Sequence, residues 1–202
     1  MKLYYATGTC SLSPHIVARE AGIDLTLEKV DLTTKKTSSG RDYLAINPKG
    51  YVPALELDDE RVLMEGPAIV QYLADQKPES GLAPPNGTFE RYKLQEMLNY
   101  ITAELHKTYS PLFKDTTPLE TRNERIAYLQ RRYKLIDHLL EGKTFLFGDR
   151  FTVADAYLFA VTRWAHGAKV DLSEFKHLLA FQERVAARPA VKAAMEAEGL
   201  KR

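Results

Sequence analysis

The sequence predicts an α/β domain over residues 1–80 followed by an all-helical domain over 88–202, joined by a linker at 81–87. Three observations carry this division. Strand-like and helix-like stretches alternate up to residue 80, a run of turn formers follows, and the later segments repeat apolar residues at helical spacing.

Leu3-Tyr4-Tyr5 is a short β-prone run closed by Thr7-Gly8-Thr9. Ser11 to Ala21 reads as a helix that stops at Gly22, a residue suited to the left-handed cap. Leu25 to Val30 alternates with period two, the pattern of a half-buried strand. Thr33 to Gly40 is polar and reads as a loop or a frayed helix. Val52 to Leu57 and Arg61 to Met64 flank Asp58-Asp59-Glu60 as a hairpin. Pro67 to Ala74 is a helix with its proline in the first turn, where no N–H is needed. Gly81 to Gly87 then supplies the turn-rich linker.

Beyond the linker, Arg91 to Tyr109 aligns Leu94, Leu98, Ile101 and Leu105 on one stripe. Arg122 to Leu140 repeats the habit with Ile126, Leu129, Tyr133, Ile136 and Leu140. Ala154 to His166, Leu178 to Ala187 and a last helix from Val191 complete the helical part. Phe151-Thr152-Val153-Ala154-Asp155 has the form of a capping box, which assigns it a folding role.

Composition narrows the function. Lys and Arg number 28 against 27 Asp and Glu, so no strong field recruits nucleic acid or an anionic membrane. Hydrophobic residues, at 45%, suffice for a core. The single cysteine rules out an intrachain disulfide, and no apolar run approaches the ~18 residues of a membrane span. With no leader-like N-terminus, a reducing cytoplasmic setting is expected.

Four places carry chemistry. Cys10 lies between the Gly8-Thr9 turn and a helix start, where free N–H groups and the helix dipole favour a thiolate; a buried inert thiol is the competing reading. Pro53 opens an apolar strand, and a cis Val52–Pro53 bond would present Val52 backbone groups to an extended peptide; a trans edge proline is the alternative. Glu65 precedes Gly66-Pro67 at a helix start, either to clamp an ammonium and carboxylate pair or simply to cap the helix. Asn99, Ala103 and His106 share a stripe that would wall a cleft or face solvent. His15, His138, His166 and His177 have no ligand-like spacing to Cys10, so no metal site is expected.

These segments together resemble the beta-class bacterial glutathione transferases. The resemblance rests on Thr9-Cys10-Ser11-Leu12-Ser13-Pro14-His15, Asn47 to Leu55, Glu65-Gly66-Pro67-Ala68-Ile69, Glu104-Leu105-His106-Lys107 and Phe151 to Leu158, and runs from Met1 to about Leu200. It implies a thioredoxin-like N-terminal domain, an all-helical C-terminal domain and a homodimer. It further implies glutathione, a co-substrate with no other cofactor, held by Cys10, Lys35, Val52, Glu65, Gly66, Asn99, Ala103, Glu104, Leu105 and His106, in part from a partner subunit. Cys10 and His106 would be the catalytic pair. The implied reaction is attack of glutathione sulfur on a small, largely hydrophobic electrophile in detoxification, dehalogenation of aromatic compounds included. Thiol–disulfide exchange through Cys10 and non-catalytic binding of hydrophobic ligands are the alternatives.

Overall fold

Leu3 and Tyr4 are adjacent on the first strand and both are fully buried, so the sheet is covered on its two faces. The computed structural model describes residues 1–200. Residues 201–202, the end of the segment expected to be helical, lie outside the described residues.

The N-terminal part runs β1 (Lys2–Tyr5), α1 (Leu12–Glu20), β2 (Thr26–Asp31), β3 (Lys36–Thr37), α2 (Tyr43–Ile46), β4 (Ala54–Glu56), β5 (Val62–Met64) and α3 (Gly66–Gln76). The strands form one mixed sheet in the order β3-β2-β1-β4-β5, with β1 and β2 parallel and the other neighbours antiparallel. One face packs Leu3 and Leu55 with Ile16, Val17, Ile69 and Leu73 of α1 and α3. The opposite face packs Tyr4, Val30 and Ala54 with Tyr43 and Ile46 of α2.

One local expectation is corrected here. The stretch 33–40 is neither pure loop nor frayed helix, because Lys36–Thr37 pairs with Val30 and Asp31 as an edge strand. Leu25 to Val30 is half-buried as expected, with Glu28 and Val30 buried and Thr26 and Lys29 exposed. The short helix α2 closes the second face, which buries Val30 and leaves Leu27 partly buried toward the first core. Glu28 tolerates burial on that strand because Lys2 Nζ approaches to 3.1 Å and the Ser39 hydroxyl donates to it.

The C-terminal part is helical from α4 (Phe89–Tyr100) onward. The chain stays helical through a π turn (Ile101–His106), α5 (Lys107–Tyr109) and a 3₁₀ turn (Ser110–Phe113). Then come α6 (Leu119–Leu139), α7 (Val153–Thr162), α8 (Trp164–Gly167), α9 (Lys176–Ala187) and α10 (Pro189–Ala197). Every residue of α7 is buried, which makes it the central post of this layer. It packs against α1 and α3 on one side and against α4 and α9 on the other.

The expected capping box forms at the start of α7. Asp155 is fully buried and accepts hydrogen bonds from Thr152 N–H at 2.8 Å and Leu146 N–H at 2.9 Å. The carboxylate thus caps the start of the helix and ties down the incoming loop. Asp155→Ala would leave two buried amides unpaired, each costing ~1–3 kcal/mol. Urea unfolding of that variant should show a loss of about 2–5 kcal/mol, whereas a loss below about 0.5 kcal/mol would remove this role.

Candidate active site

The turn that carries Cys10 is built by its own side chains. Gly8 adopts φ 76°, and Thr9 and Ser11 exchange hydrogen bonds with each other at 2.7 Å and with the Ala6 backbone. Ser13 Oγ donates to the Cys10 carbonyl at 2.8 Å. From the far layer, the Trp164 indole N–H donates to the Gly8 carbonyl at 2.8 Å. The amides opening α1 are already paired: Ser11 N–H donates to Thr9 Oγ1, Leu12 N–H to the Thr9 carbonyl and Ser13 N–H to the Cys10 carbonyl.

That pairing favours the competing reading of a buried thiol over the thiolate. Few N–H groups remain to meet the Cys10 sulfur, and the side chain is only 8% exposed. Burial pushes its pKa up to about 12, and the nearby Glu65 charge adds to the rise. The thiol keeps its proton and aims it at the Val52 carbonyl, with Sγ 3.4 Å from that oxygen. Among the described residues Cys10 is a neutral donor at neutral pH.

Val52–Pro53 is cis, as one of the two readings of Pro53 expected, and the Val52 side chain itself is buried. Val52 N–H donates no hydrogen bond among the described residues and is open to a ligand, whereas its carbonyl accepts from Cys10. Asn47 Nδ2 and Tyr43 Oη both donate to the Tyr51 carbonyl, each at 2.7 Å, and fix the approach to it. Tyr51 itself projects outward at 68% exposure.

Glu65 adopts φ 71° and makes no side-chain bond to the helix that it precedes. The simple capping alternative therefore falls. Its carboxylate lies 2.6 Å from Lys49 Nζ on the cleft rim. Behind it, Gly66 N–H opens α3 without an intrachain acceptor among the described residues.

His106 comes from the π turn, whose wider winding breaks the anticipated stripe. Of Asn99, Ala103 and His106, only His106 lines the cleft; Asn99 and Ala103 are exposed away from it. Leu105 is in the core, and Glu104 points to α6, where Tyr128 and Arg132 hold its carboxylate. Lys35 also stands apart, its Nζ donating to the Gly50 carbonyl at 2.9 Å. These five residues do not join Cys10 in this chain's own cleft.

Burial, with Lys107 beside it, pushes His106 down to about 4, so its imidazole is neutral. Its ring packs edge-on against Trp164 at 4.9 Å between centroids. Its Nδ1 lies 2.6 Å from the Tyr157 hydroxyl.

Cys10, Val52, Glu65, Gly66, His106 and Tyr157 thus converge on one cleft of about 460 Å³. A more apolar recess of about 430 Å³ adjoins it past Cys10, walled by Leu32, Tyr51, Phe113 and Trp164. Sequence reasoning missed Lys49, Tyr157 and Trp164. Tyr157 lies in the Phe151 to Leu158 segment of the resemblance, where no site role was assigned to it, and nothing in the local sequence around Trp164 points back to Gly8. Among the described residues no group of three or more acidic, histidine or cysteine side chains is placed to hold a metal.

Comparison with known proteins gives the same assignment along both halves of the chain. The family described as glutathione S-transferase, N-terminal domain, matches residues 7–76, and its C-terminal domain counterpart matches residues 100–189. Glutathione S-transferase GstA of Escherichia coli O157:H7 is 49% identical over 201 residues, covering 100% of each chain. A solved sphingomonad glutathione S-transferase complexed with glutathione is 42% identical with a TM-score of 0.95, covering 100% of each chain. A bacterial beta-class glutathione S-transferase of Sphingomonas chungbukensis is 43% identical with a TM-score of 0.96, again covering 100% of each chain.

A neutral Cys10 has a direct consequence. Alkylation by iodoacetamide in the ligand-free protein should be slow at pH 7 and accelerate only above about pH 9, past the ~8.5 of an ordinary thiol. A midpoint near pH 6–7 would show an ionised sulfur and overturn this reading of the site.

Proposed function

The chain belongs to the glutathione S-transferase family and is a glutathione transferase, and on that premise we propose how its cleft uses glutathione. The observation that carries the proposal is the convergence of an unpaired Val52 N–H, Glu65 with the Gly66 N–H, Cys10 and His106 on one cleft. The tripeptide lies extended along Val52 and pairs with its backbone as an added strand would. Its γ-glutamyl ammonium meets Glu65 and its α-carboxylate the Gly66 N–H. The Glu65–Lys49 pair is exposed and therefore contributes little, so exchanging Lys49 for the ligand's ammonium costs little.

This register brings the cysteinyl sulfur of glutathione to Cys10 and His106. Both groups are neutral, so their role is to donate to the sulfur and hold it as a thiolate. The sulfur attacks an electrophilic carbon, a C–S bond forms, and the leaving group departs with the bonding pair. The thiol proton passes to solvent. The apolar recess beside Cys10 holds the electrophile, which suits a flat hydrophobic compound such as an aryl halide. The protonated Cys10, with no resolving cysteine in the sequence, favours conjugation over thiol–disulfide exchange.

The division of labour extends to a second subunit. Asn99 and Ala103 lie exposed on the outer side of the helix that supplies His106, and we assign them to the glutathione site of a partner in a homodimer. The domain limits at 81–87 and a cytoplasmic setting remain part of this reading. No helix among the described residues is long and apolar enough to cross a membrane.

Two measurements test these assignments. Glu65→Gln keeps the shape and removes the charge, so the glutathione KM in an aryl halide conjugation assay should rise by roughly 10- to 100-fold, the loss of a charge-assisted hydrogen bond. An unchanged KM would remove Glu65 from the site. Light scattering at micromolar concentration should give twice the 22.9 kDa chain mass; the mass of one chain would exclude a shared site.

A further inference from the structure

Tyr157 takes no part in the proposed binding of glutathione, yet its hydroxyl is the one polar group that engages the His106 ring among the described residues. The tyrosine is 1% exposed and stands on α7, the most buried helix of the molecule. Its position is therefore set by the core and not by the cleft. His106, in contrast, comes from the π turn at the cleft wall.

The hydrogen bonds around this hydroxyl favour one placement of the protons. Thr102 Oγ1 lies 3.4 Å from Tyr157 Oη, but its single proton is already donated to the Leu98 carbonyl at 2.8 Å. The Tyr157 proton consequently has two acceptors to choose from, His106 Nδ1 at 2.6 Å or Thr102 Oγ1 at 3.4 Å. The short contact is the stronger bond by far. If Nδ1 carried a proton, both it and the tyrosine would direct hydrogens at one another unless the hydroxyl turned to the distant threonine. Burial also keeps the phenol protonated and the imidazole neutral, which leaves one proton for the ring.

We propose that Tyr157 is a positioning residue that donates to His106 Nδ1 and thereby locks the ring in the tautomer with its proton on Nε2. Among the described residues Nε2 has no intrachain partner, and His106 lines the cleft with Cys10. A ring fixed this way presents a donor to the cleft and has no vacant nitrogen with which to accept a proton. His106 then stabilises the glutathione thiolate as a hydrogen-bond donor and cannot act as the base that removes the thiol proton. The Trp164 ring, packed edge-on at 4.9 Å, also restrains the same imidazole.

The inference rests on the reading that His106 adjoins the glutathione sulfur, and the experiment separates the two. Histidine-selective ¹⁵N NMR of the ligand-free wild type near pH 7 should show His106 protonated at Nε2 and unprotonated at Nδ1. Tyr157→Phe should lose that fixed tautomer. In an aryl halide assay it should also lower kcat about three- to tenfold, with the glutathione KM changed less than about twofold, as expected for one mis-set donor. A wild-type spectrum with the proton on Nδ1 overturns the proposal without needing any variant. So does a Tyr157→Phe protein that loses kcat while keeping the Nε2 tautomer, because the loss would then come from packing. An unchanged kcat in Tyr157→Phe overturns it as well. His106→Ala with unaltered kcat and KM would instead remove His106 from the sulfur, whatever its tautomer.

Discussion

Everything at the cleft depends on the burial of α1 between the two layers. Seven of its residues, Leu12 to Ala18, are buried, some against the sheet and α3 and others against α7 and α10. Leu12, Ile16 and Val17 alone contribute about 5–9 kcal/mol at ~1.5–3 kcal/mol per buried aliphatic side chain, an upper bound on area grounds. Polar ties reinforce the sandwich, with His15 Nδ1 3.0 Å from Glu198 Oε1 and Arg188 gripping Glu20 through two nitrogens. A helix held on both sides cannot slide, and Cys10 at its head is therefore fixed relative to His106 and Tyr157 on the other layer.

The same burial decides the electrostatics. In an exposed loop the helix dipole would be the largest influence on Cys10, worth ~0.3–2 kcal/mol toward the thiolate. Here desolvation wins, because the first amides of α1 are consumed by Thr9 and Cys10, and the Cys10 backbone and the Lys107 charge offset only part of the rise. His106 follows the same rule in the opposite sense and loses its proton. Two uncharged donors, both largely buried, are well suited to receive negative charge carried in by a ligand, since their dipoles are already oriented before it arrives.

The structure also explains why a single chain supplies only part of the anticipated set of site residues. A regular helix would have kept Asn99, Ala103 and His106 on one stripe. The π turn rotates His106 inward toward Tyr157 and Trp164 while Asn99 and Ala103 stay outside. Glu104 is drawn to the opposite flank by Arg132 and Tyr128. Such turns leave no clear mark in apolar periodicity, because the Leu94, Leu98, Ile101 and Leu105 stripe is buried all the same.

Local chemistry determined much of this protein directly. The turn at Gly8-Thr9, the proline before β4, the Glu65-Gly66-Pro67 helix start and the Thr152–Asp155 box all follow from residues a few positions apart, and the structure keeps each of them. Helical periodicity likewise placed the α6 core residues Leu129, Tyr133 and Ile136. Tertiary structure alone decided the rest. The 2.6 Å contact between His106 and Tyr157 spans 51 positions, and the bond from Trp164 to Gly8 spans 156. The protonation of Cys10 depends on how deeply two layers bury it, which no neighbouring residue encodes. Desolvation is a property of the whole packed assembly, so sequence could mark the sulfur but not its charge.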